Sequence, residues 1–168
     1  MTFRAIESGD AAALIKLRGR TRENAISEEA LVRMGITAES VIQKLRSTHR
    51  GWLCEEENRV AGFAIGDGSS GELWVVAVAP EFEGRGIGSQ LLASVEDWLW
   101  ARGWDALWLW TDVDESRRAF SFYLRHGWLK AEVKDGMLYM RKKRPTVRCS
   151  EPGVSVAVAI RASRGPGR

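Results

Sequence analysis

Apolar positions recur along the chain with two different periods, and the switches between them divide it into elements. Thr2 to Ile6 alternates over a few residues and predicts a short strand. From Asp10, read as a cap, a helix runs to about Arg18 with Ala13, Leu14 and Leu17 on one face. Two further helix starts follow, at Ser27–Leu31 and Thr37–Val41, with Gly35 between them and the second running to His49. Beyond Gly51 the period becomes two. Trp52–Glu55 and Arg59–Ile65 flank Glu56-Glu57-Asn58, a turn of hairpin length. After a turn from Gly66 to Gly71, Glu72–Ala79 is apolar enough for a buried central strand, which Pro80 ends. Ile87–Arg102 then predicts a long helix whose apolar stripe is Ile87, Leu91, Leu92, Val95, Trp98 and Leu99, and Gly103 stops it. Ala106–Thr111 is the next strand and Glu115–His126 the next helix, with Gly127 at its C′ position. Trp128–Val133 and Met137–Arg141 close the series as a hairpin around Lys134-Asp135-Gly136.

The order β-αα-βββ-α-β-α-ββ predicts an α/β fold, a mixed and mostly antiparallel central sheet flanked by helices, with a strand–helix–strand crossover in its middle. A chain of 168 residues holds one such domain, residues 1–144, and a flexible tail, residues 145–168, that contains Pro152, Gly153, Gly165, Pro166 and Gly167. Val154–Ile160 alternates within that tail and leaves an added edge strand open.

Charge sharpens this division. Residues 1–140 carry 17 Lys and Arg against 21 Asp and Glu, a net of −4, whereas residues 141–168 carry 8 against 1, a net of +7. The basic character therefore belongs to the tail, and the body offers no basic surface for nucleic acid. Two cysteines, Cys54 and Cys149, build neither a disulfide framework nor a Cys₄ metal site, and Cys54 reads as buried filler within a strand. His49 and His126 stand too far apart in sequence to suggest a metal centre. The first residues lack the apolar run of a signal peptide and no stretch approaches 18 apolar residues, so the expectation is a cytoplasmic protein.

Candidate chemistry concentrates in two stretches. In the first, Gly84, Gly86 and Gly88 alternate with Arg85, Ile87 and Ser89 directly before the long helix. Glycines at alternate positions let successive backbone N–H groups converge with no Cβ in the way, and the helix N-terminus adds unpaired donors and partial positive charge. Together they make a cradle for phosphate or diphosphate, with Arg85 as an added cation. The G-x-G-x-G spacing departs from a dinucleotide fingerprint, the Gly-Lys-Ser/Thr ending of a Walker loop is absent, and a plain strand-to-helix turn remains as the alternative.

The strand ending Val78-Ala79-Pro80, the loop Gly84-Arg85-Gly86-Ile87-Gly88 and a helix opening with Leu91-Leu92 together resemble the acetyl-CoA loop of the GCN5-related N-acetyltransferase (GNAT) family. That family's signature Q/R-x-x-G-x-G/A falls on Glu83 to Gly88, with Glu83 standing where the family has Gln or Arg. The second stretch, Asp112–Trp128, resembles the family's N-x-x-A-x-x-F/L-Y-x-x-x-G-F/W. Ala119, Phe122, Tyr123, Gly127 and Trp128 match, and Ser116 replaces the Asn. The resemblance spans residues 2–141 and implies the acyl-CoA N-acyltransferase fold, acetyl-CoA as co-substrate and no metal. It places Val76, Ala77 and Val78 on the pantetheine arm through their backbone, Gly84 to Ser89 around the diphosphate, and Ser116 on the cofactor or at the helix start.

Direct transfer has an amine attack the thioester while a thiolate leaves. A coenzyme A thiol titrates at about 8.5 and a tyrosine at about 10, so Tyr123 stays protonated at neutral pH and can donate to the sulfur; its alternative is a core position beside Ala119 and Phe122. Backbone N–H groups around Val78 are candidates for stabilising the oxyanion. Glu72 opens the central strand and by period two shares a face with Trp74, Val76 and Val78. In the histone-acetylating branch a glutamate at the corresponding place is the base; the alternative is a solvated carboxylate at a turn. In another branch the base falls at Thr111, which cannot serve, leaving Asp112 and Asp114 as bases or caps. The connection Arg18–Ile26 borders the acceptor groove by resemblance, and Arg22, Glu23 and Asn24 admit either an acidic group or an amine. Trp108 and Trp110 give their strand an aromatic face, in the core or along an acceptor cleft.

The chain thus reads as an acetyl-CoA-dependent N-acetyltransferase acting on a small-molecule amine or a peptide or protein amine. No membrane or nucleic-acid partner is expected, and a homodimer through strand edges stays open. The alternative is a non-catalytic acyl-CoA-binding or interaction module.

Overall fold

Strands β1 (Thr2–Ala5), β2 (His49–Glu56), β3 (Arg59–Asp67), β4 (Glu72–Val78), β5 (Ala106–Asp112), β6 (Leu129–Lys134) and β7 (Met137–Lys143) form one sheet in the order β1-β2-β3-β4-β5-β7-β6. The computed structural model describes residues 1–23 and 25–146; Asn24, Cys149, most of the tail expected to be flexible and the edge strand left open at 154–160 lie outside them. The first four strands run antiparallel, β4 and β5 are parallel, and β7 is antiparallel to both β5 and β6. This is the mixed, mostly antiparallel sheet that the hydrophobic pattern predicts. No helix among the described residues is long and apolar enough to cross a membrane.

Five helices are described: α1 (Ala11–Arg18), α2 (Glu28–Arg33), α3 (Ala38–Ser47), α4 (Ile87–Ala101) and α5 (Arg118–Arg125). Both start signals after residue 26 therefore become helices, each with a side-chain cap: Ser27 accepts the Ala30 N–H and Thr37 that of Ser40. Three helices precede β2 where the expected order has two, and α3 stops at Ser47 so that His49 already belongs to β2. Asp10 does not cap α1. Its carboxylate accepts the Glu7 N–H at 2.7 Å and two hydrogen bonds from Arg4, closing the 3₁₀ turn Ser8–Asp10 instead. Likewise α5 begins at Arg118 rather than Glu115. The Asp112 carboxylate accepts the N–H of Asp114, and the Asp114 carboxylate that of Ser116, so two successive side-chain turns hold this segment out of the helix.

The crossover helix α4 packs against the sheet through Ile87, Leu91, Leu92, Val95 and Leu99, all at most 1% exposed. Glycine allows its close approach, since a Cβ on Gly66 of β3 would stand 2.7 Å from Val95 Cγ1. Trp98, expected in the stripe, is half-buried, and Glu96 is buried. That carboxylate accepts Trp128 Nε1–H at 2.7 Å and Lys142 Nζ–H at 2.6 Å, which pays for its burial and joins α4 to β7 and to the segment after α5. Cys54 is buried, as expected of a filler.

The expected fully buried central strand is only partly so: Trp74, Val75, Val76 and Val78 of β4 are half-buried. The reason is the neighbouring strand. The register of β4 and β5 has a single pair, Glu72↔Trp108, and beyond it the two strands part.

Candidate functional site

The parting of β4 and β5 opens a cavity of about 780 Å³ whose walls include both strands, the turn before α4, the first turn of α4, α5 and the connection after α1. Along β4 the backbone itself faces this space. Ala79 N–H donates to the Ala61 carbonyl of β3 at 2.8 Å, so by strand alternation the N–H groups of Val78 and Val76 point to the opposite edge, where β5 has withdrawn. Val76, Ala77 and Val78 all line the cavity.

A bulge changes the lower part of the strand. Ile65 pairs with Val75 but Gly66 with Leu73, leaving Trp74 as the extra residue. By register Val76 and Val78 lie on the face of Ala64 and Gly62, whereas Glu72 lies on the face of Asp67. Glu72 therefore does not share a face with Val76 and Val78, because the bulge breaks the period-two count. It stands at the closed end of the split and is outside the cavity lining, while Trp74 lines it. Burial pushes the Glu72 carboxyl above the ordinary glutamate value; Asp67 adds to the rise, and Lys44 and the Trp110 indole oppose it.

The glycine loop has the conformation its sequence requires. Gly84 and Gly86 take φ of +75° and +78°, and a Cβ at either would meet nothing within 4 Å, so the space beside them is open. No side chain caps α4, whose first residues Ile87, Gly88 and Ser89 line the cavity. Unpaired N–H donors beside open space fit a phosphate group. Ser89 Oγ lies 3.0 Å from Nε2 of His126, whose Nδ1 faces the Phe122 carbonyl at 2.8 Å. A carbonyl only accepts, so Nδ1 carries the proton and in the neutral ring Nε2 accepts from the Ser89 hydroxyl.

Two residues expected on the cofactor are turned elsewhere. Arg85 is outside the lining; its guanidinium donates to Glu56 at 2.8 Å and lies over the Phe82 ring. Ser116 is exposed and outside the lining, its hydroxyl donating to Asp114 at 2.6 Å.

Tyr123 lines the cavity from α5. Burial pushes its phenol up to about 12, and the positive charge of Arg18 pulls the other way. A Schellman motif fixes the C-terminal end of its helix. Trp128 N–H donates to the Tyr123 carbonyl, Gly127 N–H donates to that of Leu124, Gly127 takes φ of +81°, and the Tyr123 and Trp128 rings meet edge to face at 6.1 Å.

Of the residues named for the acceptor groove, Arg18 at the end of α1 lines the cavity, and so does Trp110 of β5, which is 44% exposed and alternates with buried Leu109. Two residues that sequence reasoning did not assign complete the walls: Met34, which follows α2, and Arg118, which opens α5. Glu83 lines the cavity too, its carboxylate meeting Arg22 Nε at 3.0 Å and the Arg118 guanidinium. Among the described residues no group of three or more His, Cys, Asp or Glu is arranged to hold a metal ion.

Comparison with known proteins meets this geometry. The model of a family described as acetyltransferase (GNAT) family matches residues 14–128. An uncharacterized N-acetyltransferase of Methanocaldococcus jannaschii is 32% identical in an alignment of 101 residues that covers 55% of this chain and 44% of the relative, so the match spans under half of that relative's length. The crystal structure of PaiA N-acetyltransferase from Thermoplasma acidophilum in complex with coenzyme A superposes with a TM-score of 0.73 at 21% identity, over 86% of this chain and 100% of that one. That of the ribosomal-protein-S18-alanine N-acetyltransferase from Escherichia coli superposes with a TM-score of 0.66 at 20% identity, over 84% of this chain and 92% of that one.

Proposed function

The chain belongs to the acetyltransferase (GNAT) family, and from that premise we propose that it transfers an acetyl group from acetyl-CoA to a primary amine by direct attack. The observation that carries this reading is the convergence on one cleft of the glycine-loop donors, the outward N–H groups of β4 and the Tyr123 phenol. Acetyl-CoA brings the thioester and its leaving group; this chain's residues hold and polarise it. The turn from Gly84 to Ser89 takes the diphosphate, Val76 and Val78 take the amide arm, and the N–H near Val78 faces the acyl oxygen. The amine nitrogen bonds to the acyl carbon, the carbon–sulfur bond breaks, and the sulfur takes the Tyr123 proton. Glu72, set back from the cavity, takes the amine's surplus proton through a water.

A phenol at about 12 keeps its proton at neutral pH, but passing it to a thiolate of about 8.5 is uphill. Arg18 lessens that difference by stabilising the phenolate that results. The acceptor end of the cleft carries Met34, Trp74 and Trp110 beside Asp112, which suits an amine borne on an apolar or aromatic group.

A thermal-shift titration with acetyl-CoA, controlled by NAD, tests the co-substrate. At about a hundredfold excess over Kd, linkage stabilises by about 2.7 kcal/mol, a rise of roughly 5–10 °C for this size. No rise at millimolar acetyl-CoA removes the reading. Tyr123→Phe should lower kcat by about 10²-fold or more while leaving acetyl-CoA affinity intact. An unchanged kcat would reduce Tyr123 to packing, and acetyl-CoA binding without turnover on any amine would favour a non-catalytic acyl-CoA-binding module.

A further inference from the structure

Glu83 stands immediately before the glycine turn, with its side chain 19% exposed on the cavity wall. Two guanidinium groups from different elements converge on it. Arg22, from the connection after α1, meets Oε2 through Nε at 3.0 Å, and Arg118, the first residue of α5, donates to the same oxygen through Nη1. Both arginines line the cavity, with side chains 60% and 57% exposed. Next to them Glu23 accepts the Arg118 backbone N–H at 2.9 Å, so this connection is fastened to α5 as well as to the turn before α4. The trio carries one net positive charge and faces the space beside Gly84.

Ion pairs with exposed partners are individually weak and exchange readily. A guanidinium binds a phosphate with two parallel hydrogen bonds, and a diphosphate offers more charge than one carboxylate. We propose that Arg22 and Arg118 are the side-chain ligands of the diphosphate of acetyl-CoA, and that Glu83 is the internal anion it displaces from them. The proposal rests on the acetyl-CoA reading of this site. It gives Glu83 a definite effect: the carboxylate holds both arginines at the cavity when no ligand is bound and lowers affinity by competing with the phosphates. The backbone donors of the glycine turn account for why a carboxylate at this position is tolerated, because they bind phosphate without it.

Calorimetric Kd values at low salt for coenzyme A, dephospho-coenzyme A and pantetheine, measured on the full chain, test this. Glu83→Gln should tighten coenzyme A and dephospho-coenzyme A by about fivefold and leave pantetheine unchanged. Adding Arg22→Gln or Arg118→Gln to Glu83→Gln should abolish the gain, and each arginine variant alone should weaken coenzyme A. Glu83→Ala, checked by thermal melting, repeats the measurement should the glutamine find a new partner. Coenzyme A affinity that is unchanged or weakened by Glu83→Gln overturns the proposal. So does a gain that disappears with dephospho-coenzyme A, which would assign the arginines to the 3′-phosphate. A wild-type chain that binds no coenzyme A overturns both this proposal and the co-substrate reading, whereas binding that ignores Glu83 overturns this one alone.

Discussion

A carboxylate at the closed end of a split sheet is a different acid from one in water. Burial raises the Glu72 carboxyl, Asp67 adds to the rise, and the shift brings it closer to the neutral range in which a general base works. If Glu72 takes the amine proton through a water, kcat/KM should rise with pH along a limb whose pKa exceeds the ordinary glutamate value. Glu72→Gln should remove that limb and lower kcat/KM at pH 7 by about 10²-fold. An unaltered profile would move the role to Asp112, which lines the cavity itself. At this scale the sequence placed Tyr123 on a helix beside Ala119 and Phe122, and all three line the cavity. It gave no sign that Arg18 stands near Tyr123, because that proximity joins positions far apart in the chain. It misplaced Glu72 because counting by two assumes an unbroken ladder, and the extra residue Trp74 breaks it.

Elements were most legible where periodicity and punctuation agreed. The α4 stripe and the Gly127 stop both appear where the pattern puts them. The start of α5 did not, since the side-chain turns of Asp112 and Asp114 compete with helix over the same residues. The burial of Glu96 on α4 was illegible for another reason: its partners, Trp128 and Lys142, lie 32 and 46 residues away. This carboxylate ties three segments together, and its loss would strand a half-buried ammonium and a buried indole N–H. Glu96→Ala should therefore destabilise the fold by about 3 kcal/mol, read as a fall in the urea midpoint. Glu96→Leu with Lys142→Met should recover part of it, because an apolar pair of similar volume removes the unpaired charge. A single variant within about 1 kcal/mol of wild type would mean that the pair adds little.

For the molecule as a whole, acid is the informative perturbation. His49 is held below its ordinary value by burial, with Lys44 acting in the same direction and Asp67 against it. The unfolded chain therefore binds this proton first, and stability should decline as pH falls below about 6.5, with no contribution from His49 above that. Asp10, lowered chiefly by its hydrogen bonds with Arg4, stabilises above about pH 4 and loses this as pH falls further. Glu72 has the opposite sign: its raised value favours the fold in acid, and the gain is lost as pH rises through it. Between pH 7 and 5 the His49 contribution lowers the melting temperature and the Glu72 contribution opposes it, so His49→Gln should make the slope of melting temperature against pH less positive whatever it does to the midpoint at pH 7. An identical slope in the variant would assign the acid limb elsewhere. The mixed, mostly antiparallel character of the sheet was readable from the succession of elements, but neither the place of β7 between β5 and β6 nor the parting of β4 from β5 was, since no local pattern records which strands pair or where two parallel strands cease to. The parting has a consequence for deuterium uptake. Amides in the middle of a sheet are ordinarily the last to exchange. Those of Val76 and Val78 sit near the centre of seven strands yet point at open space, so they should take up label early, ahead of Ala79, whose N–H is held by Ala61. A bound co-substrate would return them to the slow class, and that slowing would mark the ligand as an eighth strand laid into the sheet.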